Sequence, residues 1–391
     1  MLTGIALILL TGLGAGWLFS RMKLPSLLGM ILVGILISPN CFDLVDAKLL
    51  AISADIRQIA LVIILTRAGL SLNINDLKKV GRPAILMCFV PACLEMVGVI
   101  VFAPMLLGVS YLDAAIIGSV IAAVSPAVIV PRMIKLMEQG YGVKQSIPQM
   151  ILAGASVDDV FVIVVFSALI TLASTGTVAV SSFVQIPTSI CLGILLGVLV
   201  GKLLVLFFKK VHIRDTVKVL IMLSISFLML ELQSRLEGIV AVSGLLSIMS
   251  MGIIIKRNYD ILAQSLSQKY NKLWLGAEVF LFVLVGVAVD VRYALTAGII
   301  VLVLIVIALI FRMSGVLLSL LGTDLKKKER IFCMMAYCPK ATVQAAIGTI
   351  PLAMGLECGN IVVTMAVVSI LFTAPHGAIC IDKSYNKLLS L

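Results

Sequence analysis

Apolar runs of about 20 residues recur along the whole chain, each long enough as a helix rising about 1.5 Å per residue to cross a hydrocarbon core about 30 Å thick. Inside lipid a backbone must satisfy its own polar groups, and a helix does so within one segment. An all-α polytopic membrane protein is therefore expected. The charge content agrees, since 13% of residues are Asp, Glu, Lys or Arg, against about 25% in an ordinary soluble domain.

Thirteen runs qualify, at about 2–20, 24–39, 55–72, 83–107, 112–134, 148–174, 183–208, 216–234, 238–255, 274–290, 294–321, 331–354 and 360–380. Loop charge tests this division independently, because Lys and Arg gather on the cytoplasmic side. The loops after even-numbered spans hold only Lys48, Arg235 and Arg292, whereas basic residues fill those after odd-numbered spans, from Arg21 and Lys23 to Lys326, Lys327, Lys328 and Arg330. The expected orientation puts the N-terminus outside and the C-terminus in the cytoplasm. No basic stretch precedes the first run, so it reads as a retained helix and not as a signal peptide. The 391 residues are expected to form one transmembrane transporter domain with no attached soluble domain.

The net charge of +11 sits in these short loops, which argues against a nucleic-acid-binding face. Eight cysteines without a Cys-x-x-Cys pair, and only His212 and His376, argue against zinc, redox and haem sites. No cofactor is expected. Gly12-Leu13-Gly14-Ala15-Gly16 matches a nucleotide loop by letter only, because it lies inside a membrane run with no strand before it.

Ionisable groups at membrane depth are costly, by about 2.5–3.5 kcal/mol or more each, so they mark function by default. Span 6 carries Asp158 and Asp159 near its middle. Successive helical residues point about 100° apart, so the two carboxylates do not face each other as a proton-sharing dyad, yet both can border one polar cavity. Carboxylate oxygens in such a cavity bind either a cation or a proton, and that competition is the minimal chemistry of cation/proton exchange. The bland alternative is that buried Arg or Lys neutralises both acids. Glu95 in span 4 and Arg312 in span 11 are candidate partners. In an inverted repeat of six spans, a linker and six spans, these two occupy related positions. Arg312 pairing with Glu95 leaves both aspartates free, and Arg312 pairing with Asp158 lowers the number of protons exchanged.

The same repeat relates span 5 to span 12, each interrupted by proline: Ser125-Pro126-Ala127 in one and Pro339-Lys340-Ala341-Thr342 in the other. Proline lacks an amide donor, so matched prolines suggest two broken helices around a midplane site, with freed carbonyls available to a small cation. Lys340 is expected to offset the negative ends of the half-helices, and Ser125, Ser156 and Thr342 to add neutral oxygens. Glu278, about one turn inside span 10, is a candidate for the cytoplasmic entrance, and Arg67 lies near enough to its own span end to snorkel. The Gly193-x-x-x-Gly197-x-x-x-Gly201 face of span 7 suits helix packing.

Together, Asp158-Asp159, Ser125-Pro126-Ala127, Arg312 and Pro339-Lys340-Ala341-Thr342 resemble the monovalent cation/proton antiporters of the second cation/proton antiporter family. With the Gln139-Gly140-Tyr141-Gly142 loop they look most like its sodium/proton antiporter NHA branch. The resemblance implies an inverted-repeat fold of about 13 helices with two broken crossing helices, and a homodimer. It further implies a scaffold and dimer part at about 1–72 and 216–290, a transport core at about 83–174 and 294–380, a linker helix at about 183–208, and elevator-like alternation of the core. Asp159 would be the principal carrier of Na⁺ or Li⁺ and of the proton, and Asp158 its partner. Arg312 would replace a lysine of electrogenic relatives, and arginine does not deprotonate.

The expected activity is therefore Na⁺ or Li⁺ exchange for H⁺ at Asp159 and Asp158, with K⁺/H⁺ exchange as the alternative. The expected location is the plasma membrane of a bacterium. No enzymatic activity is expected: an intramembrane aspartyl protease needs aspartates facing from separate helices, and Asp158 and Asp159 are sequential. A channel or a non-transporting receptor would make no use of coupled carboxylate chemistry.

Overall fold

The computed structural model describes residues 1–71, 81–174, 180–211, 213–236 and 242–390, with side chains described throughout except at Ala127, Ser156, 180–187 and 291–297. His212 and the side chains of Ser156 and Arg292 thus lie outside the described residues. The described chain is helical and contains no strand. Its helices are α1 (Leu2–Arg21), α2 (Ser26–Ile37), α3 (Ala47–Ala51), α4 (Ser53–Ser71), α5 (Arg82–Met87), α6 (Val90–Leu107), α7 (Tyr111–Ile121), α8 (Pro126–Gln139) and α9 (Ile147–Ser174). Then come α10 (Val180–Lys210), α11 (Asp215–Leu236), α12 (Gly244–Asn258), α13 (Asp260–Val287), α14 (Val291–Ser319), α15 (Lys327–Ala336), α16 (Thr342–Ile347), α17 (Ile350–Ala353) and α18 (Gly359–Leu388).

Among the described residues, seven helices are long and apolar enough to cross a membrane: Leu2–Arg21, Arg82–Leu107, Ile147–Ser174, Thr188–Lys210, Asp260–Val287, Gly298–Ser319 and Gly359–Leu388. Shorter apolar helices are Ser26–Ile37, Tyr111–Ile121 and Thr342–Ala353. Three of the expected spans are divided. The proline-interrupted ones break at 122–125 and at 337–341, where the sequence places them, and the fourth breaks at Cys88–Phe89, which it did not. The cause of the unexpected break is Pro91 in the first turn of α6, which has no N–H to give the Met87 carbonyl four residues earlier. Gly108 and Gly140 end α6 and α8 in left-handed conformations, at φ 67° and 81°, that suit glycine.

The chain divides into two compact units. The first comprises Met1–Ala54, Ile74–Val162 and Val279–Leu391, and the second Asp55–Asn73 and Ile163–Glu278. In the first unit, α6 and α14 approach closely because two glycines clear the way. A Cβ on Gly98 would lie 2.8 Å from the Phe311 ring, and one on Gly315 would lie 2.6 Å from Pro91 Cα. The glycine run of α1 is likewise a packing face, with Gly12 against Val279 and Gly16 against Met30. Both observations fit the rule that small residues let membrane helices approach where no water drives them together.

The second unit uses the same device. A Cβ on Gly197 would lie 2.3 Å from the Ser247 carbonyl oxygen of α12, while the Ser247 hydroxyl donates to the Gly193 carbonyl at 2.9 Å. The glycine face of α10 is therefore a helix-packing surface, as its spacing suggests. Gly197→Ala forces the two backbones apart and should lower stability by about 1–3 kcal/mol. Gly276→Ala, where a Cβ meets nothing within 4 Å, should leave it unchanged or raise it by up to about 1 kcal/mol. Thermal unfolding of the two detergent-solubilised variants checks this contrast.

Candidate functional site

The site lies wholly within the first unit, where the α6–α14 approach brings Glu95 against Arg312. Arg312 Nη1 donates to Glu95 Oε2 at 2.8 Å, and its Nη2 donates to Asp158 Oδ2 on α9 at 2.9 Å. Lys340, in the break between α15 and α16, places its Nζ 2.7 Å from Glu95 Oε1. All four side chains are 0% exposed. Two acids and two bases thus form one closed, neutral chain, Lys340–Glu95–Arg312–Asp158. Burial without water makes such a chain tolerable only when every charge is paired.

The sequence left Arg312 to choose between Glu95 and Asp158, and it bridges both. Lys340, expected to face half-helix ends, has a full carboxylate partner instead. A whole opposite charge at 2.7 Å outweighs the partial charge of about one half at a helix terminus.

The broken backbone is satisfied by side chains. Pro126 has no N–H for the Ala122 carbonyl, and Arg312 Nη1 donates there instead. Pro91 leaves the Met87 carbonyl free, and the Tyr337 hydroxyl donates to it at 3.0 Å. Arg312 Nε donates to the Tyr337 carbonyl at 2.6 Å, and the guanidinium lies 5.0 Å from the centre of the Tyr337 ring. Gln344 Nε2 donates to the Ala123 carbonyl at 2.8 Å and to that of Ile121 at 3.4 Å, while its Oε1 accepts from the Ala341 N–H at 2.9 Å. The two breaks also touch directly, with Ser125 N–H donating to the Pro339 carbonyl at 2.8 Å. Val124 N–H donates to Asp158 Oδ2 at 2.8 Å, and Lys340 N–H to Thr373 Oγ1 at 2.9 Å. The carbonyls freed at the first break are thus largely engaged within the protein, contrary to the expectation that they stand open to a cation.

Among the described residues no basic side chain lies within ion-pair distance of Asp159, which is partly accessible where Asp158 is fully buried. Three buried oxygens, Asp158 Oδ1, Asp159 Oδ1 and Ser125 Oγ, have no hydrogen-bond partner among the described residues. They are the oxygen donors that a hard cation or a proton requires. Thr342 opens α16 and is buried. Pro126 opens α8, and Pro339 lies in the second break, where Gly377 of α18 leaves it room: a Cβ there would meet Pro339 Cγ at 2.3 Å. Glu278 belongs to the second unit, where its charge interacts with that of Arg67.

Reasoning from sequence missed Tyr337, Gln344 and Thr373. Two of them had a signal. Pro91 announces an orphaned carbonyl at Met87, and a buried amide such as Gln344 in an apolar segment must find partners. Thr373 had none, because nothing in the sequence brings α18 to the second break.

The pattern of the family described as "Sodium/hydrogen exchanger, transmembrane" matches residues 5–381. The chain is 32% identical over 410 residues to mouse sodium/hydrogen exchanger 9B2, covering 99% of this chain and 74% of that protein. It is 33% identical to the protein of the same name from Xenopus tropicalis, covering 99% and 75%. Human sodium/hydrogen exchanger 9B1 is 29% identical, over 94% of this chain and 73% of its own length. These are animal proteins and lend no support to a bacterial plasma membrane. Among solved structures, the sodium proton antiporter MjNhaP1 from Methanocaldococcus jannaschii superposes with a TM-score of 0.83 at 20% identity, over 98% of this chain and 97% of that one. The fold is therefore that of an antiporter.

Arg312 uses four bonds to hold two acids and two carbonyls, which the three donors of a lysine ammonium cannot reproduce. Arg312→Lys and Arg312→Ala should each cost about 3 kcal/mol or more by stranding buried carboxylates. Tyr337→Phe, which strands only the Met87 carbonyl, should cost about 1–3 kcal/mol. The order of unfolding temperatures, with wild type highest and the Arg312 variants lowest, is the check.

Proposed function

The chain belongs to the sodium/hydrogen exchanger family, and on that premise we propose that it exchanges Na⁺ or Li⁺ for H⁺ at Asp159. Cation/proton antiport by an integral membrane protein is what the family membership carries. The finer reading rests on one observation: the closed chain Lys340–Glu95–Arg312–Asp158 leaves Asp159 as the acid without an ion-pair partner among the described residues. Three acids against two bases make the site anionic by one charge. One cation or one proton at Asp159 neutralises it, so each excludes the other by charge and by competition for the same oxygens.

In this reading Asp159 is the carrier. Asp158 keeps Oδ2 on Arg312 and Val124 and lends Oδ1, with Ser125 Oγ, to the cation. Ser156 and Thr342 are further neutral ligands, and Na⁺ or Li⁺ is cargo and not a resident metal. Because Arg312 occupies Asp158 and carries no proton away, one cation exchanges for one proton and turnover is electroneutral. Glu278 is the candidate for the cytoplasmic entrance, from its place about one turn inside span 10.

Thirteen crossings with an inverted repeat, an outside N-terminus and a cytoplasmic C-terminus complete the proposal. So do a homodimer, a core of about 83–174 and 294–380 moving elevator-like against a scaffold of about 1–72 and 216–290, and placement in the second cation/proton antiporter family. Support comes from the distribution of loop Lys and Arg and from the paired proline breaks.

Purified protein in liposomes with an imposed pH gradient provides the test. Na⁺ or Li⁺ should evoke proton movement in the wild type and none in Asp159→Asn, and clamping the membrane potential should leave the rate unchanged. Activation by K⁺ and not Na⁺ would replace the sodium reading with K⁺/H⁺ exchange. Persistent exchange in Asp159→Asn would remove the carrier assignment.

A further inference from the structure

We infer that Gln344 is a positioning residue that sets cation selectivity, by withholding backbone carbonyls of the first helix break from the ion. The inference rests on the antiport reading above and adds to it a residue that touches neither the carrier acid nor the charge chain.

Gln344 is 0% exposed and is the third residue of α16, just after the second break. Its amide has one orientation that satisfies its surroundings. Nε2 must face the carbonyls of Ala123 and Ile121, and Oε1 must face the Ala341 N–H, because the reverse sets an oxygen against two oxygens and a donor against a donor. One side chain therefore closes the N-terminus of α16 and reaches across to the end of α7. Those carbonyls are the ones whose helical partners are missing, since the chain leaves helical geometry after Ile121 and resumes it only at Pro126.

The consequence is a division of oxygens. Gln344 takes Ile121 and Ala123, Arg312 takes Ala122, and Ser125 N–H takes Pro339. Three successive carbonyls at the first break, and one at the second, are engaged in protein hydrogen bonds. Of the buried oxygens without hydrogen bonds at the same place, Glu95 Oε1 is ion-paired with Lys340, and those left for a cation among the described residues belong to Asp158, Asp159 and Ser125. A site offering few ligands, two of them carboxylates, suits a small, hard cation, whereas arrays of backbone carbonyls are the ligands that select K⁺. Gln344 keeps the site in the first condition. Removing its N–H donor while conserving side-chain volume releases two neutral oxygens beside the acids and moves preference toward the larger ion.

Steady-state proton movement evoked by Li⁺, Na⁺ and K⁺ in proteoliposomes, read as KM and Vmax for each cation, tests this with wild type, Gln344→Met and Gln344→Asn, alongside thermal unfolding of each. Gln344→Met is expected to lower the ratio of KM for K⁺ to KM for Na⁺ by at least about five-fold, the scale of one buried hydrogen bond. A purely structural role would instead lower unfolding temperature or Vmax with the KM ratios of the wild type, and a folded Gln344→Met with those ratios overturns the inference. If Gln344→Met does not fold, Gln344→Asn, whose shorter amide cannot span both breaks, must show the shift, and wild-type ratios in that variant overturn the inference equally. A wild type that moves no protons with any of the three cations overturns the antiport reading itself.

Discussion

A guanidinium with no access to water must be surrounded by acceptors, and the first unit is arranged around that requirement at Arg312. Its bonds to Glu95, Asp158, Ala122 O and Tyr337 O draw α6, α9, the α7–α8 break and the end of α15 to a single point. Lys340 extends the chain of charge by neutralising the far oxygen of Glu95. Removing any one of these four charges strands another in a medium where desolvation costs several kcal/mol per ion. The network is accordingly a device for fixing geometry, and its worth lies in leaving one carboxylate, Asp159, out of the pairing.

Proline and polar side chain work as complementary halves of one solution. Each proline that breaks a helix removes a donor from the carbonyl four residues before it, and in two cases a buried side chain from a distant helix supplies the replacement: Arg312 for Pro126 and Tyr337 for Pro91. Gln344 does the same for the carbonyls on either side of Ala122. A membrane interior offers no water to complete these bonds, so the breaks persist only because the substitutes are in place. The irregular backbone and the charge chain are therefore mutually dependent, and Arg312 belongs to both.

Much of this was legible in the sequence, for definite reasons. The all-helical membrane class follows from apolar length, Asp158, Asp159, Glu95 and Arg312 stand out because charge is expensive at that depth, and Pro126 and Pro339 mark breaks by lacking a donor. Pairing was not legible. Nothing in the order of residues says that one guanidinium reaches two acids from two helices, nor that Lys340 answers Glu95 in place of a helix end, since both depend on how closely Gly98 and Gly315 let α6 and α14 approach. The engaged carbonyls were also hidden, because their donors, Gln344 and Arg312, come from 190 to 223 residues away in sequence. The acids could be named from their cost, but their division into paired and unpaired required the fold.

That division carries the functional proposal, and it has a direct consequence for proton balance. If Asp159 alone is shared between cation and proton, adding Na⁺ to weakly buffered, detergent-solubilised protein at a pH where Asp159 is protonated should release about one proton per cation bound, as ligand deprotonation on metal binding requires. Asp159→Asn should release none. Cation binding with no proton released, or release persisting in Asp159→Asn, would contradict competition at a single carboxylate.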